Sequence, residues 1–128
     1  MKYRFKTENK DVNKRKQVSE KIIKQYPDKI PIICEKDPRS KLKDIEKTKY
    51  LMPKDLTVSQ FHLIIRNKIE LNQEESLFLL VDGKISLVGE SRLGDIYEKY
   101  ANKEDGFLYI VYAEEIFYGR LIKKTSLE

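Results

Sequence analysis

Apolar side chains recur along the chain at two rhythms. Val12, Val18, Ile22 and Tyr26 are interleaved with Lys14, Arg15, Lys16, Lys21 and Lys24, which predicts a basic amphipathic helix over residues 11–26, ended by Pro27. Another short helical turn is predicted over residues 2–8. Ile30-Pro31-Ile32-Ile33-Cys34-Glu35 is short and rich in β-branched groups, hence a strand, its proline near the start where a missing amide is tolerated. Lys49-Tyr50-Leu51-Met52, just before Pro53, is predicted to be its neighbour. Thr57 and Gln60 stand at capping-box spacing, so a helix should run from about 58 to 69 with Val58, Phe61, Ile64, Ile65 and Ile69 on one face. Leu77-Phe78-Leu79-Leu80-Val81 is a continuously apolar strand, predicted to be central and buried, and Asp82-Gly83 supplies a tight reversal into Lys84-Ile85. Ser91 can cap a last short helix bearing Leu93, Ile96, Tyr97 and Tyr100, and Phe107 to Tyr112 forms the final strand after Gly106.

A chain of 128 residues suits one domain with short appendages. The predicted division is a helical extension over residues 1–27 packed on a core of residues 28–113, followed by a flexible tail, 114–128. The class is α+β, a mixed sheet of four strands packed on one main helix.

The net charge of +5 conceals an asymmetry: residues 1–56 hold 17 Lys/Arg against 9 Asp/Glu, and the remainder 9 against 12. The first half is therefore a surface for something acidic, be it peptide, anionic lipid or nucleic acid, since electrostatic attraction does not identify the partner. A lone cysteine, Cys34, cannot form an internal disulfide, and Met1-Lys2-Tyr3-Arg4 lacks a secretory signal's apolar region. A cytoplasmic protein is expected. With no apolar run near the roughly 18–20 residues of a membrane span, stable membrane contact would require an attached anchor.

Candidate catalytic chemistry is sparse. Cys34 lies in an apolar strand and the only histidine, His62, on a helix without an evident orienting partner, so a structural thiol is favoured over a nucleophile. One Cys and one His fall short of a zinc site, and there is no glycine-rich phosphate loop. No enzyme activity, metal or cofactor is expected.

The element order is that of the ubiquitin-like β-grasp with a two-helix N-terminal extension, and particular segments carry a closer likeness. These are Lys14-Arg15-Lys16, Tyr26 to Ile33, Glu35-Lys36, Lys47 to Pro53, Asp55 to Phe61, Ile65-Arg66, Asp105 to Tyr112, and Tyr118-Gly119. Together they resemble the autophagy modifiers related to the microtubule-associated light chain and the GABA-receptor-associated protein, over residues 1–119 with an insertion of about two residues near Asn102-Lys103. Two departures stand out. Val18 occupies a position that is often acidic in the family, and Ser86-Leu87 replace its frequent paired prolines.

The resemblance implies that an extended aromatic-x-x-aliphatic peptide of a cargo receptor, with acidic flanks, adds a strand to the sheet edge. By matching positions, the aromatic pocket maps to Ile22, Pro31, Ile33, Lys49, Leu51 and Phe107, and the aliphatic pocket to Tyr50, Met52, Pro53, Leu56, Phe61 and Ile64. Lys47, Lys49, Arg66 and Lys68 would meet the acidic flanks. Pattern alone makes Ile33, Phe61 and Phe107 core residues; only the resemblance makes them pocket residues.

It also implies that a processing cysteine protease cuts after Gly119. Activating and conjugating enzymes would then pass the Gly119 carboxylate to phosphatidylethanolamine, moving the protein from cytoplasm to autophagosomal or other intracellular membranes. Gly suits a tail threading a narrow active site, having no Cβ to obstruct it, and two acyl chains anchor stably where one does not. Leu127-Glu128 can also be read as a cloning remnant. Tubulin is a secondary partner implied through the basic helical extension; nucleic acid is not among the expected partners. Alternatives are a non-covalent trafficking or cytoskeletal adaptor, and a modifier joined to protein lysines.

Overall fold

A computed structural model describes residues 2–116. Two helices, α1 (Arg4–Glu8) and α2 (Val12–Gln25), precede β1 (Lys29–Lys36), β2 (Lys49–Pro53), α3 (Val58–Lys68), β3 (Phe78–Val81), β4 (Ile85–Leu87), α4 (Leu93–Tyr100) and β5 (Leu108–Ala113). The sheet has five strands in the order β2-β1-β5-β3-β4, not the four expected. The reversal at Asp82-Gly83, both with positive φ, continues into a paired strand, with Leu79 opposite Leu87 and Val81 opposite Ile85. Ser86 and Leu87, where the resembled family has prolines, thus lie in β4 and keep their amides available for pairing.

β1 and β5 run parallel, and the other neighbours are antiparallel. The central position belongs to β5, all six residues of which are buried, rather than to the apolar run of β3. That run is explained by two covered faces, since a strand packed on both sides loses its polar alternation wherever it stands in the sheet. Ile30, Ile32, Cys34, Tyr50, Leu79, Val81, Leu108, Ile110 and Tyr112 point towards α3, whose Val58, Phe61, Ile65 and Ile69 complete the main core. Their alternates, Ile33, Leu80, Phe107, Tyr109 and Val111, form a second cluster with Tyr3 under the N-terminal extension.

α3 has the expected capping box, with Thr57 Oγ1 accepting the Gln60 amide and Gln60 Oε1 accepting the Thr57 amide. α4 does not use Ser91. Its N-cap is Arg92 without a side-chain cap, because the Leu93 and Gly94 amides donate to the Leu56 and Lys54 carbonyls, tertiary acceptors that do the work of a cap.

α2 also buries different side chains from those its apolar pattern marks. Val18 and Tyr26 are exposed, and the side chains buried against the body are Arg15 and Ser19. Arg15 Nε donates to Asp105 Oδ2 at 2.8 Å, and its Nη1 donates to the Asn9 carbonyl at 2.7 Å. Ser19 donates its hydroxyl to the Asp105 carbonyl. Tyr109 donates to the same carboxylate at 2.5 Å, and the Phe107 amide reaches its other oxygen at 3.0 Å. Asp105 is fully buried, and this set of donors offsets the cost of enclosing its charge. α1 is held similarly by buried Glu35, whose two oxygens accept the Arg4 and Phe5 amides at 2.8 Å each.

Candidate functional site

Pairing along β1 and β2 determines which backbone groups remain available. The Cys34 amide donates to the Thr48 carbonyl at 2.8 Å. With Ile33 opposite Lys49 and Ile32 opposite Tyr50, hydrogen-bonded and non-bonded pairs must alternate. Thr48, Tyr50 and Met52 therefore turn their amides and carbonyls to β1, and Lys49 and Leu51 turn theirs to the free edge, which Pro53 ends. The same phase explains Pro31: opposite Leu51 in a non-bonded pair, its nitrogen faces β5, whose ladder with β1 begins only at Ile32.

The two sides of this edge differ. On the side of the N-terminal extension lie exposed Lys49 and half-buried Leu51, across from buried Ile33 and Pro31. Phe107 shares the Ile33 cluster, and Ile22 on α2 is half-buried. On the α3 side, Tyr50 meets Phe61 edge to face at 6.3 Å between ring centroids. Met52 and Leu56 pack against the core half-exposed, Ile64 is half-buried and Pro53 exposed. Ile33, Phe61 and Phe107 have no accessible surface, so they are core residues, as the pattern alone gives, and can serve a ligand only as the floor beneath Ile22, Leu51 and Ile64.

Tyr50 is 4% exposed, and its hydroxyl has no hydrogen-bond partner among the described residues; burial pushes its pKa up to about 12. The ammonium groups of Lys47 and Lys68 stand 5.6 and 6.0 Å from its ring centroid, attracted by the negative ring face. Arg66 is differently engaged: its Nη2 donates to the Asn72 and Glu75 carbonyls at 2.5 and 2.9 Å, closing the loop after α3. Beyond the start of β2, Thr48 borders a cleft of about 410 Å³ that Lys2, Arg4 and Lys36 also line.

Cys34 is wholly buried, and burial raises its thiol well above the ordinary range, leaving little thiolate for chemistry. His62 Nε2 is 2.8 Å from the Leu77 carbonyl, which fixes it as a donor there. Among the described residues no group of three or more His, Cys, Asp or Glu could hold a metal ion, and no helix is long and apolar enough to cross a membrane. Gly119, with Phe117, Tyr118 and Leu127-Glu128, lies outside the described residues.

Sequence reasoning missed the Arg15, Ser19 and Asp105 cluster. The partners are 90 and 86 positions apart and carry no local spacing that would join them. The one available signal was the pair of polar positions on α2, Arg15 and Ser19, set one turn apart and in line with Val12, Ile22 and Tyr26 on the apolar face.

Two comparisons bear on these features. A family model described as autophagy protein Atg8, ubiquitin-like, matches residues 14–119. The crystal structure of Trypanosoma brucei ATG8 is similar to this chain at a TM-score of 0.82 and 34% sequence identity, covering 93% of this chain and 100% of that one.

Proposed function

The chain belongs to the Atg8 family of ubiquitin-like autophagy proteins, and from that membership we propose that it is a non-enzymatic modifier and peptide adaptor. After cleavage behind Gly119 by a cysteine protease, activating and conjugating enzymes join that residue to phosphatidylethanolamine, carrying the protein from cytoplasm to autophagosomal membrane. There it recruits cargo receptors bearing an aromatic-x-x-aliphatic motif. Residues 1–27 act as an extension of the 28–113 core, and residues 114–128 as the tail on which the conjugating enzymes work.

The observation that carries the adaptor reading is the β2 edge. Positions i and i+3 of an extended peptide point to opposite faces, and the free amides and carbonyls of Lys49 and Leu51 lie between half-buried apolar side chains on opposite faces. An aromatic anchor enters beside Ile22, Pro31 and Leu51, over Ile33 and Phe107. The aliphatic anchor enters beside Met52, Pro53, Leu56 and Ile64, over Tyr50 and Phe61. Lys47, Lys49 and Lys68 face the acidic flanks, with Arg66 contributing through guanidinium donors other than the Nη2 that closes its loop.

Titration calorimetry with a Trp-x-x-Leu peptide tests the site. Leu51→Ala is expected to weaken binding roughly tenfold, about 1.4 kcal/mol, with the fold intact; unchanged affinity removes the site. Intact mass spectrometry of the endogenous protein tests conjugation. A chain ending at Gly119 with a phosphatidylethanolamine mass on membranes supports it. Attachment to protein lysines, or only chains extending past Gly119, replaces it with a protein modifier or a non-covalent trafficking or tubulin-binding adaptor.

A further inference from the structure

The contact between α2 and the start of β5 is closer than side chains ordinarily allow. Ser19 Oγ donates to the Asp105 carbonyl, and a Cβ at residue 106 would stand 2.6 Å from Ser19 Oγ and 3.4 Å from Ser19 Cβ. Only glycine fits there, and Gly106 also has φ +79°. The Tyr97 hydroxyl donates to the Gly106 carbonyl at 2.6 Å and would lie 3.8 Å from the same Cβ, so the segment is tethered where the conflict arises. The ion pair of Arg15 with Asp105 pulls the same helix inward, one turn before Ser19.

Both sides of this contact lead directly to residues of the proposed aromatic pocket. Ile22, the α2 wall, follows Ser19 by three residues and lies on the same face of the helix. Phe107, in the floor, follows Gly106 and donates its amide to the Asp105 carboxylate. We infer that the Ser19–Gly106 contact, held shut by Arg15 and Asp105, fixes the width of the aromatic pocket and so selects the size of the aromatic anchor, making Ser19 and Gly106 specificity-determining positioning residues. The inference rests on the adaptor reading above. Its physical basis is close packing: a helix displaced by one methyl group moves as a unit, and its wall side chain moves with it.

The test compares two peptides identical except for Trp or Phe at the aromatic position, titrated against the full chain and variants whose fold is checked by near-ultraviolet circular dichroism. Gly106→Ala pushes α2 outward and should move the Trp-to-Phe affinity ratio towards Trp by at least about threefold. Adding Ser19→Ala removes the 2.6 Å conflict and should restore the ratio, although the φ strain at residue 106 remains. The penalty for replacing the aliphatic anchor by Ala should stay constant throughout, which a general loosening would not allow. If Gly106→Ala fails to fold, Ser19→Thr adds its methyl group from the helix side, and the same shift is expected. An unchanged ratio in a folded variant overturns the inference and leaves the adaptor reading standing. Wild-type protein that binds neither peptide overturns both.

Discussion

At the scale of single residues, buried polar groups carry more of the architecture than the sequence suggests. Arg15 sits within a run of basic residues, Lys14-Arg15-Lys16, that looks like one solvated patch. Its neighbours are exposed, but Arg15 is 8% exposed and paired with a carboxylate that has no exposed surface. Asp105→Asn keeps the shape and removes the charge, leaving a guanidinium enclosed without its counter-ion. A loss of about 3 kcal/mol is expected, read from the urea midpoint at pH 7. Tyr109→Phe, which deletes one donor to the same carboxylate, should cost only about 1 kcal/mol. Equal costs would mean that Asp105 acts through its hydrogen bonds and not its charge. The distinction also bears on the tubulin alternative, because Lys14 and Lys16 can be replaced to test a surface role and Arg15 cannot.

At the scale of elements, local signals were reliable where a helix or turn is specified by its own residues. Thr57 and Gln60 cap α3 as their spacing requires, and Thr57→Ala should lower stability by about 1 kcal/mol, measured by chemical denaturation with the unfolding slope unchanged. The same reading placed β1, β2 and the turn at Asp82-Gly83. It went wrong where a neighbour distant in sequence decides. α4 takes backbone carbonyls from Lys54 and Leu56 instead of the Ser91 hydroxyl. α2 buries Arg15 and Ser19 because their acceptors arrive with Asp105, and its Val18 and Tyr26 are left outside. β3 yields the centre to β5 because parallel pairing of β1 with β5 cannot be read from either strand alone. Of the candidate site, the β2 strand was legible from the pattern, but its use as a sheet edge and the membership of the pockets came from family resemblance. Ile33, Phe61 and Phe107 are indistinguishable from core because they are core; the proposed pockets use them only as a floor beneath a half-buried rim.

At the scale of the whole molecule, four buried tyrosines join its parts. Tyr3 reaches from the extension to Asp82 at the β3–β4 turn, Tyr109 joins β5 to Asp105, and Tyr112 donates to the Lys43 carbonyl in the loop between β1 and β2. Tyr50 ties the edge strand to α3. Burial raises the pKa of all four hydroxyls, to about 12 for Tyr50, and the nearby carboxylates Asp82 and Asp105 raise Tyr3 and Tyr109 further. The native chain therefore holds these protons more tightly than the unfolded chain, where a tyrosine titrates near pH 10. Below pH 10 both states are protonated and the difference contributes nothing. Above it, the unfolded chain releases protons that the native chain retains, and stability falls by up to about 1.4 kcal/mol per pH unit for each such group. Because the four span the extension, the sheet, the loop and α3, their ionisation should coincide with a single cooperative loss of structure. Tyrosinate absorbance from the buried groups should rise in one step, as the circular dichroism collapses. If absorbance from the buried tyrosines instead rose in two steps, the first without loss of sheet signal, the N-terminal extension would be a separately unfolding unit, and a peptide pocket walled by α2 could open without disturbing the core.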